Sequence, residues 1–224
     1  MKTSVETLLE EVYPSSDGKP MAETGIHVRA IIDLYAVLEH RYRAHDDVLV
    51  AANIFLYYVE GDPKKRRSPD VMVVKKARGN HLRRSFMTWI ERATPSCIIE
   101  VTSRKTAKED LKVKKPLYRK LGVREYFLFD PLHEYLPRQL MGYRLVKGRY
   151  KTIKNDDEGS LVSKELGLQF VPEGEGLVLY DMKTGERLLT PKEAYASVDA
   201  ERRFNAELKA ELARLKTPKN GKHA

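Results

Sequence analysis

The chain has 224 residues, of which 42% are hydrophobic and 33% charged, a balance typical of a globular protein with a real core. A single cysteine, Cys97, excludes an internal disulfide framework and any multi-cysteine metal site. Its longest apolar stretch, 48–59, is interrupted by Asn53 and too short to cross a bilayer. Acids near the N-terminus stand where a signal peptide would continue its apolar region, so we expect a cytoplasmic protein without a membrane partner.

The first half of the chain predicts one long helix followed by three strands. Over 24–43 the apolar positions recur at three and four, which indicates an amphipathic helix with a wide buried face. The stretch 48–59 predicts one long strand that ends in a charged loop, GDPKKRRSP. A second strand opens at Asp70, and a third spans Cys97 to Thr102.

The second half opens with a strongly basic helix. Thr106 and Glu109 form a capping-box pattern at its start, and Gly122 stands where a C-terminal cap belongs. Pro116 lies inside this helix and predicts a kink, because proline removes a backbone hydrogen bond. A strand at 125–130, a β-hairpin around Lys147-Gly148 and further short strands follow.

The last element is a helix that begins at Thr190-Pro191 and carries an apolar stripe: Ala200, Phe204, Leu208, Leu212 and Leu215. Two roles stay open for it. It could act as a dimerisation or docking arm, which would make the protein a homodimer, or it could pack back on its own domain.

The two acids Asp70 and Glu100 are the candidate centre of the protein. If the strands that begin at Asp70 and Cys97 pair antiparallel, the start of one lies beside the end of the other. Asp70 opens its strand and Glu100 nearly closes its own, so both carboxylates would meet at one edge of the sheet. Converging carboxylates repel each other unless a cation or a shared proton lies between them. The pattern therefore favours a metal site.

A lysine on the following helix could project towards the same edge of the sheet. Asp110, Lys114 and Tyr118 recur every four residues and share one helix face. Lys114 could project towards Asp70 and Glu100, or it could form only an ordinary ion pair with Asp110.

The positive charge of the chain, +9 in total, is clustered. Between residues 64 and 84 nine basic residues accompany a single acid, and 104–120 is similarly basic. This clustering predicts phosphate contacts with a nucleic acid, and a merely solvated basic surface is the alternative. The nine are Lys64, Lys65, Arg66, Arg67, Lys75, Lys76, Arg78, Arg83 and Arg84.

Several motifs in order, SPDVMVV, IIEVTSRKT, Asp110-x-x-x-Lys114-x-x-x-Tyr118 and LGVREYFLFDP, resemble the Uma-two family. That family groups restriction-endonuclease-like proteins within the PD-(D/E)xK nuclease superfamily. The resemblance spans about 13–153 and includes YPSSDGKPMAE with a following histidine, His27. It implies an α/β fold: a restriction-endonuclease-like core with a central mixed β-sheet flanked by helices. A β-rich C-terminal extension and a C-terminal helix complete the predicted chain.

The resemblance also implies the chemistry and the site. Asp70 becomes the superfamily aspartate, Glu100 the second carboxylate, and the carbonyl of Val101 a further ligand of Mg²⁺, with Mn²⁺ as its substitute. The protein would be a metal-dependent endonuclease acting on DNA, with Asp110 and Tyr118 as accessory residues. Glu23 matches an acidic position that sometimes completes such sites, although a helix-start acid favoured by the helix dipole is the alternative.

One position departs from the family pattern. The lysine expected two residues after the glutamate is Thr102 here, and the resemblance assigns its role to Lys114. Because of this departure, an alternative function stays open: a catalytically inactive nuclease-fold protein that binds nucleic acid or a partner without cutting. We predict one nuclease domain over 1–189, a C-terminal helix over 190–216 and a disordered tail over 217–224.

Overall fold

The computed structural model describes residues 10–16 and 24–216, with side chains described as far as residue 214. The backbone groups into two compact units that divide after Leu188. The first unit holds every strand given below. The second contains one helix, α5, Pro191–Lys216. Glu23 and the tail over 217–224 lie outside the described residues, and the domain boundaries stay a prediction.

A mixed six-stranded sheet forms the centre of the first unit, in the order β1-β4-β6-β7-β8-β9. Strands β6 and β7 are parallel, and every other neighbouring pair in this sheet is antiparallel. This arrangement agrees with the predicted central mixed sheet. Its strands are β1 Val48–Ala52, β4 Val71–Lys75, β6 Cys97–Val101, β7 Glu125–Phe129, β8 Leu140–Val146 and β9 Arg149–Thr152.

Two smaller sheets complete the unit. One has the order β10-β11-β12-β13 and forms the predicted β-rich extension; the other has the order β3-β2-β5 and lies earlier in the chain. Their strands are β2 Phe55–Tyr57, β3 Arg66–Arg67, β5 Ser85–Met87, β10 Leu161–Ser163, β11 Leu168–Glu173, β12 Gly176–Asp181 and β13 Arg187–Leu188.

The prediction of one long strand over 48–59 is wrong. Asn53 adopts a left-handed backbone with φ of 52°, and its amide donates to the carbonyl of Pro69 at 3.1 Å. The chain therefore leaves the central sheet after β1 and enters the small sheet as β2. Asparagine tolerates this conformation better than most residues, and apolar periodicity alone does not reveal the break.

The helices of the first unit flank the central sheet. Helix α1, Gly25–Tyr42, confirms the predicted amphipathic helix, and Ala30, Ile31, Leu34, Val37 and Leu38 are buried on it as expected. A short helix, α2 at Thr88–Glu91, follows β5. Between β6 and β7 the chain is helical in three consecutive parts: α3 Ala107–Glu109, a π-helical segment Asp110–Lys114, and α4 Lys115–Leu121. We refer to residues 107–121 as the site helix.

The π-helical segment accommodates Pro116. The amide of Lys115 donates to the carbonyl of Asp110, five residues earlier, so the helix widens by one residue just before the proline. Pro116 then occupies the first turn of α4, where a missing N–H is tolerated. The predicted kink is thus a local widening. Gly122 ends the helix in the left-handed conformation with φ of 83°, as predicted, whereas Thr106 makes no side-chain capping bond.

The central sheet separates two buried layers. Val71, Val73 and Ile99 face the layer that contains α1 and residues of the C-terminal sheet. Met72 and Ile98 face the opposite layer, which contains Tyr118 of the site helix. Side chains alternate between the faces of a strand, so Glu100 shares the face of Ile98 and lies under the site helix. None of the helices in the described chain is long and apolar enough to span a bilayer.

Candidate active site

Asp70 and Glu100 meet at one edge of the central sheet, as their positions in the sequence predict. Strands β4 and β6 pair antiparallel with Val71 opposite Ile99. The amide of Asp70 donates to Glu100 Oε2 at 3.2 Å, and the amide of Val101 donates to Asp70 Oδ2 at 2.7 Å. Each acid is therefore held by the backbone of the other strand, and the distance between them depends on strand pairing.

Lys114 lies between two acids of this cluster. Its Nζ is 3.0 Å from Glu100 Oε2 and 2.8 Å from Asp110 Oδ1, and 9% of its side chain is exposed. The neighbouring lysines point elsewhere: Lys112 is exposed, and Lys115 Nζ lies 3.6 Å from the centre of the Tyr143 ring. Both interpretations of Lys114 therefore hold in part, because its ammonium contacts Glu100 and also forms the ion pair with Asp110.

Tyr118 is placed to orient Glu100. Its hydroxyl donates to Glu100 Oε1 at 2.9 Å, and both side chains are fully buried. Glu100 therefore receives hydrogen bonds from Tyr118 on one oxygen and from Asp70 and Lys114 on the other. A carboxylate with both oxygens engaged has a fixed orientation.

Thr102 also faces this cluster. It is buried, and its Oγ1 donates to Asp110 Oδ2 at 3.4 Å. Thr102 and Glu100 are two residues apart and point to the same side of the chain. A lysine at residue 102 would therefore reach the region that the Lys114 ammonium occupies from the site helix. Residue 102 is where the family resemblance leads us to expect a lysine, and the ammonium beside Glu100 belongs instead to Lys114 on the site helix.

The charges of the cluster are unbalanced. Three carboxylates, Asp70, Glu100 and Asp110, surround one ammonium. Burial raises the pKa of Glu100 well above its usual range, and although Lys114 lowers it, Asp70 and Asp110 raise it further. Burial alone would lower the pKa of Lys114, but the three carboxylates outweigh that effect and raise it. Lys114 is therefore protonated, and full ionisation of the acids calls for another cation.

The residues at this edge fit a hard divalent cation. Carboxylates of Asp70 and Glu100, with the backbone carbonyl of Val101, are oxygen ligands of the kind Mg²⁺ prefers. Their excess negative charge is what such an ion would neutralise. Within residues 10–16 and 24–216 no ready-made group of three or more His, Cys, Asp or Glu ligands is present. A cation would consequently need backbone or water ligands besides the two acids.

His27 is a residue that the sequence analysis did not place in the site. Thr24 caps α1 by accepting from the amide of His27 at 3.3 Å, which fixes the start of the helix. The ring is buried, and His27 Nε2 lies 3.9 Å from Asp70 Oδ2. The signal was available: His27 stands in phase with the buried positions Ala30, Ile31 and Leu34, where an apolar residue is usual.

The nine basic residues of 64–84 do not form one surface. Arg83 forms an ion pair with Glu91 at 2.5 Å and is almost fully buried, and Lys75 Nζ contacts the carbonyl of Glu165. Arg84 pairs with Glu10, and Arg66 stacks on Phe55 with its guanidinium 4.7 Å from the ring centre. Arg67 Nε is 3.7 Å from Glu109 Oε1 on the site helix. The side chains of Lys64, Lys65, Lys76 and Arg78 are exposed.

Fold and site together define a mixed α/β protein with a buried cluster of acids and one lysine at the edge of its central sheet. A profile of the Uma2 family, described as "Putative restriction endonuclease", matches residues 12–173. The chain belongs to this family, which confirms the resemblance drawn from its motifs and supports a nuclease-like function.

Comparison with solved structures finds a crystal structure described as "a putative nuclease belonging to DUF820" from Anabaena variabilis ATCC 29413. It is 16% identical in sequence, covers 68% of this chain and 81% of its own, and superposes with a TM-score of 0.47. No curated protein matches the chain significantly.

Proposed function

We propose that this protein is a Mg²⁺-dependent endonuclease that hydrolyses phosphodiester bonds of DNA. The observation that carries the proposal is the position of the Lys114 ammonium, 3.0 Å from Glu100 Oε2 at the edge where Asp70 also lies. Two converging acids and a lysine are the parts that metal-assisted phosphodiester hydrolysis requires. The nuclease-like character of the family supports the same reaction.

Asp70, Glu100 and the carbonyl of Val101 would hold the cation. When bound, Mg²⁺ supplies an activated water and neutralises charge on the phosphate; Mn²⁺ would substitute for it. The amide of Val101 fixes Asp70 Oδ2, and Tyr118 fixes Glu100 Oε1, so the acids are held in place before a cation arrives. Such preorganisation saves the cost of reorientation during the reaction.

Lys114 would act as a cation rather than as a base. Its raised pKa keeps the ammonium protonated at neutral pH, so it can donate hydrogen bonds to the attacking water or to a phosphate oxygen. Asp110 would position Lys114, because it holds the ammonium at 2.8 Å. Tyr126 supports this part of the helix by donating to the carbonyl of Asp110 at 3.1 Å.

The DNA backbone would pass along the segment that precedes Asp70. Lys64 and Lys65 are exposed there, and Arg67 reaches the site helix at Glu109. Lys76 and Arg78 follow the far end of β4, about 17 Å from Asp70 at the usual rise of a strand. We therefore assign the phosphates nearest the cleaved bond to Lys64, Lys65 and Arg67, and treat Lys76 and Arg78 as contacts with more distant DNA.

The test is cleavage of single-stranded and plasmid DNA by the purified 224-residue chain with Mg²⁺ or Mn²⁺. We expect cleavage of at least one of the two substrates, and we expect chelation to abolish it. Asp70→Ala and Glu100→Ala should each remove it, whereas Asp157→Ala, which removes an exposed acid far along the sequence, should not. Circular dichroism spectra and thermal melts of the variants show whether the fold is retained.

The rival is a nuclease-fold protein that binds nucleic acid without cutting. Binding that survives both substitutions, with no cleavage in any divalent cation, would support this rival and contradict the proposed hydrolysis.

A further inference from the structure

A cleft of about 390 Å³ opens beside the two acids. This volume lies within the range of pockets that hold small ligands, about 300–1,000 Å³. The cleft is lined by the start of α1, by the loop between β6 and the site helix, and by the loop that follows β7. Neither the cation site nor the reaction proposed above uses it.

The cleft adjoins the candidate active site at two points. His27 lines it and also lies 3.9 Å from Asp70 Oδ2. Thr102 lines it and directly follows Val101, whose amide holds Asp70 Oδ2 at 2.7 Å. A group bound in the cleft would thus be the immediate neighbour of a phosphate at the edge of the sheet where Asp70 and Glu100 lie.

The lining joins two kinds of surface. Most of its exposed area is apolar, and Ile26, Leu132 and Tyr135 are among the residues that line it. Two exposed cations, Arg104 and Lys105, belong to the same lining. An aromatic and apolar wall beside cations is the combination that binds an unpaired base together with its phosphate.

A buried acid, Asp130, also belongs to the lining of the cleft. Asp130 is fully buried, and its Oδ2 accepts from the amides of Tyr135 and Leu136 at 2.6 and 2.9 Å. Its Oδ1 finds no hydrogen-bond partner in the part of the chain that the structure describes. Buried polar atoms usually have partners, so this atom calls for a water or a ligand donor.

We propose that this cleft holds one unstacked nucleotide next to the cleaved phosphate, and that the protein therefore acts on single-stranded DNA. The inference rests on the proposed function and names its substrate. Tyr135 stacks on the base, while Arg104 and Lys105 bind the phosphate. A base within a duplex is paired and stacked on both sides, so it cannot enter a cleft of this kind without first leaving the helix.

Binding is measured with the Glu100→Gln chain, because an uncut substrate separates recognition from cleavage. The probes are a short fluorescein-labelled single strand and a hairpin duplex of the same sequence, followed by anisotropy in Mg²⁺. We expect the single strand to bind more tightly. Tyr135→Ala should weaken its binding roughly 5- to 140-fold, the usual effect of losing one stacked base, whereas Tyr135→Phe should keep it.

The role of the cleft cations is tested by comparing two arginine variants, one inside the cleft and one outside it. Arg104→Ala should reduce the dependence of log Kd on log salt by about 0.7, the value for one phosphate of a single strand. Arg138→Ala removes an exposed arginine that is not among the cleft residues, and it should leave that slope unchanged.

Tighter binding of the duplex, or single-strand binding that Tyr135→Ala leaves unchanged, would overturn the proposal. A failure of the proposed function would look different: the unmodified chain would cut neither probe, whatever the Glu100→Gln chain binds.

Discussion

Lys114 Nζ lies 3.0 Å from Glu100 Oε2, although one residue belongs to a π-helical segment and the other to a strand. The contact depends on the geometry of both the site helix and β6. The site helix presents Lys114 to the sheet, and the alternation of β6 turns Glu100 towards the helix. Both side chains are buried, so loss of either partner leaves a buried charge uncompensated and should affect stability as well as the proposed chemistry.

Lys114→Met should abolish cleavage and lower stability in the absence of metal. Loss of the ammonium leaves Glu100 and Asp110 buried without their shared cation, at a cost of about 3 kcal/mol, typical of a broken buried pair. Cleavage assays and urea unfolding in EDTA measure the two effects. Lys112→Met is the matched control, because Lys112 is exposed on the same segment. Loss of activity in the control rather than in Lys114→Met would contradict the assignment.

Placing a lysine at residue 102, directly after β6, should restore part of the activity that Lys114→Met loses. Thr102 Oγ1 already reaches Asp110 Oδ2 at 3.4 Å, so a lysine at this position can bring its ammonium to the same cluster. We expect Thr102→Lys combined with Lys114→Met to cut DNA faster than Lys114→Met alone. Rates of cleavage of single-stranded DNA by the two proteins measure the difference. Equal rates would mean that Thr102 does not mark the position of the missing lysine.

Mg²⁺ should stabilise the folded chain independently of any DNA. A cation at one hundred times its Kd contributes about 2.7 kcal/mol, which raises Tm by roughly 5–10 °C for a protein of this size. The shift should disappear in Asp70→Asn, since that change removes a charged ligand with little change of shape. Differential scanning fluorimetry with and without Mg²⁺ measures it. An equal shift in Asp70→Asn would place the ion elsewhere.

Gly142 should be intolerant of even a methyl group. A Cβ at this position in β8 would lie 2.9 Å from side-chain atoms of both Phe127 and Leu161. Gly142→Ala should therefore destabilise the chain by about 1–3 kcal/mol, the usual cost of overpacking, as measured by urea unfolding. Gly25→Ala is the control, because nothing lies within 4 Å of its added Cβ. Equal stability of the two variants would show that the packing around β8 adjusts freely.

Much of the candidate site could be predicted because its parts follow simple periodicities. Asp70 and Glu100 stand at opposite ends of neighbouring strands, and antiparallel pairing brings such ends together. Lys114 and Asp110 are four residues apart and stay on one side even where the helix widens. The motifs that carry the family resemblance belong to these same elements.

Other features could not be predicted because they depend on distant partners. The turn at Asn53 is held by the carbonyl of Pro69, and Arg83 is sequestered by Glu91. The position of His27 beside Asp70 depends on how α1 packs on the sheet. A charge count cannot tell a cation that binds phosphate from one that already has a partner in the fold.

By itself, the sequence determined which residues share a face: Asp110 with Lys114 on a helix, and Glu100 with Thr102 along a strand. Only the tertiary structure decided which faces meet. It placed the Lys114 ammonium between Glu100 and Asp110 and turned Thr102 towards the same cluster. The physical reason is that backbone periodicity is local, whereas a buried cluster of charges forms only where separate elements pack together and exclude water.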